Sequence, residues 1–304
     1  MPLLPTGFRE VKRVLREEGA DATTGPRTTR VSLTLRIVPA MGLQTLSPSR
    51  AGDFKHCPQL FRFRAIDRLP EPATPYQARG TASHLALQRL FDLPAEQRTP
   101  EALYDLFRRA WEEVRFTEYP GLFGSIEEER AWGLESLQIL ANYFSVEDPS
   151  SFDPIAREMD LVEDLDGITI RGILDRMETA PDGRLVISDY KTGKAPPEQY
   201  ALPAFFALKT YALLVRRRTG QAPDLLRLIY LTGPVVYELA VNPAQLEAMD
   251  RQLRALWVAI ERAIQRDDVP PRPGPLCEWC AFKGICPAWA GLVEPMEPAA
   301  AAVG

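Results

Sequence analysis

Three charged side chains bound the chemistry available to this sequence: Asp175, then Asp189 with Lys191 two positions on, in the stretch TIRGILDRMETAPDGRLVISDYKTGKAPP from Thr169 to Pro197. Ala180-Pro181-Asp182-Gly183 offers Pro at i+1 and Gly at i+3, the chemistry of a type I turn, so the chain reverses near Asp182. Ile168, Ile170, Gly172 and Leu174 alternate with their neighbours before the turn, as Leu185 and Ile187 do after it, which predicts two strands. Pairing symmetric about Asp182 sets Asp175 opposite Asp189, with Cβ atoms about 5 Å apart. The strand period returns Lys191 to the same face. A slip of one residue would send one carboxylate to the other face, and the symmetric register is chosen because it gathers the charges.

Two carboxylates this close repel, so one stays protonated unless a cation lies between them. Oxygen ligands select a hard divalent ion such as Mg2+ or Mn2+, and the backbone carbonyl of Tyr190 offers a further oxygen. Lys191 cannot ligate while protonated, but it can orient a water or stabilise charge on a phosphorane-like oxygen. This is equipment for phosphodiester hydrolysis. The competing reading is a surface ion pair between Lys191 and the aspartates at a sheet edge.

The elements that must hold these groups are mixed α/β. Ser47-Pro48-Ser49 predicts a helix entry with Ser47 as cap and Pro48 at the first helical position, carrying Phe54 and Cys57 before Pro58. After a Pro-rich loop from Leu69 to Pro75, RGTASH leads into a second helix with His84 near its first turn. A lone helical histidine is more often structural than a ligand. Pro100–Phe116 and Glu127–Phe144 read as amphipathic scaffold helices. Residues 154–163 form a strand joining the hairpin as a meander, with Glu158 either reaching the carboxylates or pairing at the surface. A helix from Glu198 to Arg218, a hairpin around Thr232-Gly233-Pro234 and a long helix from Pro243 to Gln265 follow, and PPRPGP then breaks regular structure.

Three of the four cysteines are clustered as Cys277-x2-Cys280-x5-Cys286, with Cys57 far upstream. Close spacing in a chain without secretory features suggests metal rather than disulfides. Four thiolates suit tetrahedral zinc or an iron-sulfur cluster, and spacing leaves the two open. Either would staple the C-terminal segment to the first helix, with Trp279, Phe282, Pro287 and Trp289 as a dry shell.

With 304 residues, 45% hydrophobic and 25% charged, the composition is that of an ordinary globular chain. No apolar run nears the roughly 20 residues of a membrane span, and MPLLPTGF lacks a signal-peptide core, so the expected place is the cytoplasm with no membrane partner. A net charge of −5 does not advertise nucleic-acid binding, which must rest on local patches. One candidate is Arg50, Lys55, Arg62, Arg64 and Arg68 interleaved with Phe54, Phe61 and Phe63; the alternative is a solvated basic face over core aromatics. Gly193-Lys194 is no phosphate loop, since Ser188 and Ala195 occupy its flanking positions. Residues 1–40 lack sustained periodicity apart from a short helix near Val11–Glu18 and an alternating VSLTLRIV, and are expected to be a disordered extension. The domain spans 41–292, and 293–304 is a disordered tail.

GTASH with His84, GILDR with Asp175, ISDYKTGK with Asp189 and Lys191, and Cys57 with CEWC-AFKGIC resemble, in order, the PD-(D/E)xK nuclease superfamily. The likeness is to its RecB-like exonuclease branch with a cysteine-bound iron-sulfur cluster, and it covers about Leu46 to Trp289. CRISPR-associated adaptation nucleases and the nuclease domains of bacterial recombination complexes share this plan. The resemblance implies a restriction-endonuclease-like core, a central mixed sheet flanked by helices, with a helical insertion at about 85–150 and a C-terminal Cys-rich staple. It implies that His84, Asp175, Asp189 and the Tyr190 carbonyl bind catalytic Mg2+ or Mn2+, that Lys191 assists the attacking water, and that Cys57, Cys277, Cys280 and Cys286 hold a 4Fe-4S cluster. It further implies an exonuclease acting on single-stranded or frayed DNA ends in repair or recombination, with a helicase or recombination partner, or else an iron-sulfur DNA-binding subunit with little activity. Glu158 and Tyr211 are secondary candidates. The branch usually carries Gln four residues before that Tyr; here position 207 is Ala, and Gln199 is a nearby substitute.

Overall fold

The computed structural model describes residues 45–289. The expected N-terminal extension, its short helix and VSLTLRIV, and the C-terminal tail lie outside the described residues. Helix α1 (Pro48–His56) starts where expected, with the Ser47 hydroxyl accepting from the Arg50 amide at 3.2 Å. Cys57 ends it, α2 (Pro58–Phe61) follows, and a π-type turn runs from Arg62 to Ile66.

Helix α3 (Pro75–Leu90) begins earlier than the sequence pattern suggested. Thr74 and Gln77 form a reciprocal capping box, and Pro75 is the first helical residue rather than the end of the loop. His84 therefore sits in mid-helix, where its backbone is fixed on both sides. Helices α4 (Pro100–Val114), α5 (Ile126–Ala141) and the short α6 (Tyr143–Val146) complete the insertion.

Five strands, β1 (Ala156–Asp164), β2 (Thr169–Thr179), β3 (Leu185–Lys194), β4 (Leu225–Thr232) and β5 (Val235–Ala240), form one sheet in sequence order. All neighbours are antiparallel except β3 and β4, so the sheet is mixed as expected. The parallel step needs a crossover. Helix α7 (Phe206–Thr219) supplies it, starting eight residues after Glu198 because two 3₁₀ turns, the second containing Pro203, occupy the interval. Helix α8 (Pro243–Arg266) packs beside α7. One face of the sheet buries Leu174, Ile187 and Leu228 against α7 and α8. The other buries Tyr190, Ile229 and Leu231 against α3, α4 and α5.

The β2–β3 turn folds as its residues require: the Gly183 amide donates to the Ala180 carbonyl at 2.8 Å, and Gly183 has φ +84°, which glycine adopts without steric penalty. The register is the symmetric one, with Arg176 opposite Ser188 and Thr179 opposite Leu185. The ladder ends at Arg176 and Ser188, one position short of Asp175 and Asp189. Beyond that rung the strands part, and the freed stretch of β2 takes a single parallel bridge from Leu46. The two aspartates thus sit at the vertex of an opening between strands.

Candidate active site

Four elements converge on the vertex. Asp175 Oδ2 accepts the Tyr190 amide at 2.9 Å, so a side chain takes the place of the next ladder bond. From α3, His84 Nε2 donates to the Tyr190 carbonyl at 2.9 Å and its Nδ1 lies 3.3 Å from Asp175 Oδ2. Glu158 of β1 brings Oε1 to 3.9 Å from the same nitrogen. One ligand atom from each of His84, Glu158 and Asp175 falls within 4.8 Å of the others, a spacing that could hold a metal ion. Asp189 lies outside that trio, paired instead with Lys191 Nζ at 2.6 Å.

Glu158 is positioned by irregular backbone. The β1–β2 ladder omits only the Glu158/Asp175 rung between Arg157/Arg176 and Met159/Leu174, and Glu158 has φ +45°. Leu174 and Met177 both pack into the α7-side core, three positions apart in a period-two strand, so β2 changes face between them. Non-glycine residues in the left-handed region are strained and cluster at functional sites.

The charges at the vertex are strongly coupled. Burial pushes the His84 imidazolium pKa down, but the charge and hydrogen bond of Asp175, aided by Glu158, more than offset this and raise it to about 10. Burial pushes Asp175 up, yet His84, the Tyr190 amide and Lys191 bring it below the usual carboxylate range. Asp189 goes the other way: burial and the charge of Asp175 push it up to about 6 despite Lys191. Burial lowers the Lys191 ammonium, but Asp189 and Asp175 raise it on balance, so it is a cation and a donor. Lys191 Nζ meets Asp189 Oδ2 at short range but outside hydrogen-bonding angles, so this buried oxygen has a charge contact and no hydrogen bond. Such an atom is costly to leave without a partner.

Behind the vertex lies a network that sequence reasoning missed. Arg176, buried on the opposite face from Met177, donates to both oxygens of Glu147 at 2.7 Å, to Glu178 at 2.9 and 3.0 Å, and to the Tyr190 hydroxyl at 2.5 Å. Arg227 of β4 reaches the same Glu147 at 3.2 Å. This network ties the end of α6 to the ring of the residue whose amide and carbonyl hold Asp175 and His84. A charged residue at an inward strand position was the available signal; its partner Glu147 could not be read.

Tyr211, on α7, packs its ring against Gly172 so closely that a Cβ there would fall 2.4 Å from Cε1. Burial raises its hydroxyl pKa, and Asp189, Asp175 and Glu158 add to the rise. Tyr211 and Ala207 line a cleft that runs from α1 to Asp189 and Lys191. Gln199 is exposed in a 3₁₀ turn and lines no part of it.

The four cysteines do converge. Cys57, Cys277, Cys280 and Cys286 line one cavity of about 230 Å³, and all four are free thiols. Among the described residues no three of these thiols lie mutually within 4.8 Å. The Arg272 amide donates to Cys57 Sγ at 3.3 Å and the Gly274 amide to Cys277 Sγ at 3.4 Å. Burial raises the Cys280 thiol pKa. Of the expected apolar shell, Trp289 lines the cavity, and Phe282 is buried behind it with its ring tilted 46° against Phe63 at 5.1 Å, whereas Pro287 and the 80% exposed Trp279 do not line it. The basic stretch divides: Arg62 pairs with Asp67 and Asp267, and Arg64 with Asp53 and Glu71, which leaves Arg50 and Lys55 on the cleft.

Comparison with solved structures finds a protein from Eubacterium rectale named "Putative exonuclease", 16% identical, covering 84% of this chain and 93% of that one with a TM-score of 0.49. It also finds SSO0001, 15% identical, covering 81% and 86% with a TM-score of 0.38. No curated protein matches. The sequence model of the PD-(D/E)XK nuclease superfamily matches residues 45–287, from the Leu46 bridge through the last cysteine but for its final flanking residues, and the chain belongs to that superfamily.

Proposed function

We propose that this chain is a divalent-metal-dependent DNA exonuclease acting on single-stranded or frayed ends, in repair or recombination, with residues 41–292 as its catalytic domain. The observation that carries the reading is the vertex: Asp175, Asp189, His84 and Lys191 meet where β2 and β3 part, and a buried Asp189 oxygen is left without a hydrogen bond. Members of the superfamily use divalent metals such as Mg2+ or Mn2+. The donor set here, carboxylate oxygens with one imidazole and a backbone carbonyl, suits such an ion. Asp175, Asp189, His84 and the Tyr190 carbonyl would hold it, together with Glu158, whose ligand atom lies within 4.8 Å of those of His84 and Asp175. When bound, the ion supplies Lewis-acid polarisation of the phosphoryl oxygen and lowers the pKa of its water.

The chain's own groups do the rest. Hydrolysis forms a bond from water oxygen to phosphorus and breaks the bond to a sugar oxygen, which leaves with a proton. Lys191, held as an ammonium beside Asp189, donates to a phosphate oxygen as charge builds there. His84 must give up its proton to act as a ligand, so its pairing with Asp175 competes with metal.

The four cysteines are assigned to a 4Fe-4S cluster, as the resembled branch carries, with zinc the alternative that the same donors allow: Cys57, Cys277, Cys280 and Cys286 line one cavity, and four thiolates suit either group. One observation favours a second reading, an iron-sulfur DNA-binding or assembly subunit with weak activity: Ala207 puts a methyl group on the cleft wall where the resembled branch carries Gln.

Anaerobically purified protein, assayed with Mn2+ on linear single strands, blunt duplex and closed circles, tests both. Degradation of linear strands, abolished by Asp189→Ala and Lys191→Ala in folded protein, is expected. Equal activity in wild type and both variants would remove the vertex from the mechanism, and tight binding without turnover under any divalent ion would favour the second reading.

A further inference from the structure

Arg176 is only 1% exposed and lines no part of the cleft, so neither substrate nor ion reaches it. Its place in the chain gives it a hold on the vertex all the same. It directly follows Asp175 on β2, and it faces Ser188 at the last rung of the β2–β3 ladder, one position short of Asp189. Its Nη2 donates to Ser188 Oγ at 3.2 Å and its Nη1 to the Tyr190 hydroxyl at 2.5 Å. Ser188 and Tyr190 flank Asp189, and the strand period puts their side chains on the face opposite to it. One guanidinium therefore grips both neighbours of Asp189 from behind.

The grip is closed on every side. Glu147 and Glu178 accept the other N–H groups of Arg176, Ser188 Oγ donates on to Glu178 Oε1 at 3.0 Å, and the Phe152 ring covers the guanidinium at 4.8 Å. Two guanidiniums, those of Arg176 and Arg227, meet two carboxylates, those of Glu147 and Glu178, so the charges balance within the cluster. Buried ion pairs add little net stability over a well-packed apolar cluster, whereas a fully satisfied polar network holds one geometry rigidly. The geometry held here lies where the main-chain ladder has stopped, since the Asp175 side chain takes the Tyr190 amide in place of a backbone carbonyl. The Tyr190 ring that Arg176 holds also meets the His84 ring edge to face, with centroids 6.2 Å apart.

We propose that Arg176 is a positioning residue for the vertex: acting through Ser188 and Tyr190, it sets the spacing of Asp175, Asp189 and the Tyr190 carbonyl, and Glu147 makes that spacing depend on the helical insertion that α6 closes. This rests on the nuclease reading and adds to it residues that govern metal binding without touching metal or substrate.

The test uses the full chain. Tyr190→Phe with Ser188→Ala removes the two hydroxyls that Arg176 grips and leaves its ion pairs and every proposed metal ligand. Calorimetric Mn2+ binding is expected to weaken roughly 10-fold to 100-fold in this double variant, the usual effect of losing groups that orient metal ligands. On a linear single strand kcat is expected to fall, with KM for the strand unchanged. Leu253→Ala on α8 opens a cavity in the core on the other face of the sheet, and is expected to lower the melting temperature while keeping wild-type Mn2+ affinity. The triple variant Arg176→Met, Glu147→Leu, Glu178→Leu replaces the ion pairs by apolar packing, and is expected to stay folded yet bind Mn2+ as weakly as the double variant. A merely structural role predicts wild-type affinity there. Wild-type Mn2+ affinity in the folded double or triple variant, or an equal loss in Leu253→Ala, would overturn the positioning role and leave the nuclease reading standing. Wild type that neither binds Mn2+ nor cleaves would overturn both.

Discussion

Glu158 on β1 stands directly across from Asp175 on β2, at the one rung that the ladder between these strands omits, and Glu158 takes a left-handed backbone there. The matched irregularity turns two carboxylates toward His84 on α3 instead of leaving them on a flat strand surface.

That backbone predicts an asymmetry between substitutions. Glu158→Gly meets φ +45° without steric penalty and is expected to stay within about 1 kcal/mol of wild type in urea unfolding. Glu158→Val, β-branched, is expected to lose about 1–2 kcal/mol more. Both should weaken Mn2+ binding by calorimetry. Equal stability of the two variants would show that the position is unstrained.

The vertex also predicts a pH dependence of the metal-free fold. A histidine whose folded pKa is raised contributes stability that is fully present below its unfolded value, about 6.5, and is lost as pH rises through the folded value of about 10. The stability difference between wild type and His84→Gln should therefore be constant below that lower limit and shrink toward pH 10. A difference that grows over this window would contradict the His84–Asp175 pairing.

Arg176 should be among the least replaceable residues. Arg176→Met leaves Glu147 and Glu178 without their main partner in a buried setting, and breaking such a pair from one side costs about 3–5 kcal/mol. The triple variant Arg176→Met, Glu147→Leu, Glu178→Leu should recover part of that loss. Chemical denaturation measures both, and a loss under about 1 kcal/mol for the single change would mean that the network is loosely held.

Gly172 is predicted to be intolerant for a local reason. Gly172→Ala places a methyl group into the Tyr211 ring, which must rotate away from the vertex carboxylates. Cleavage is expected to fall more than stability, and Gly172→Ala with Tyr211→Ala should regain the stability. Unchanged kcat and KM in Gly172→Ala would show that the Tyr211 position does not matter to the chemistry.

On the proposed 4Fe-4S assignment, wild type binds about four iron atoms per chain, and Cys280→Ser is expected to lower that number and to reduce thermal stability under anaerobic conditions. The thiols gather residues 57 and 277–286 around one cavity, and the segment buries little else of its own. A full complement of zinc and no iron in both proteins would reverse the assignment.

What the sequence determined by itself was local or periodic. Turn residues at Pro181 and Gly183 set the hairpin to within one residue of its register, alternation set the strands, and Ser47-Pro48 marks a helix entry whose cap forms as a hydrogen bond. The approach of Asp175 to Asp189 came from choosing, within that range, the register that gathers the charges, and the ladder that carries it ends one rung earlier at Arg176 and Ser188. No described helix is long and apolar enough to cross a membrane, as composition suggested. Only the tertiary structure decided the rest. The parting of β2 and β3 goes with Leu46, from outside the hairpin, pairing to β2 at Ile170. The strain at Glu158 depends on one rung left unpaired between β1 and β2, the arginine network on Glu147 at the end of α6, and the seating of Lys55 over Phe206 on α1 meeting α7. The physical reason is the same in each case. A period of 2 or 3.6 residues says which face a side chain takes within its own element, but which charges become partners is fixed by the packing of elements that the chain brings together only on folding.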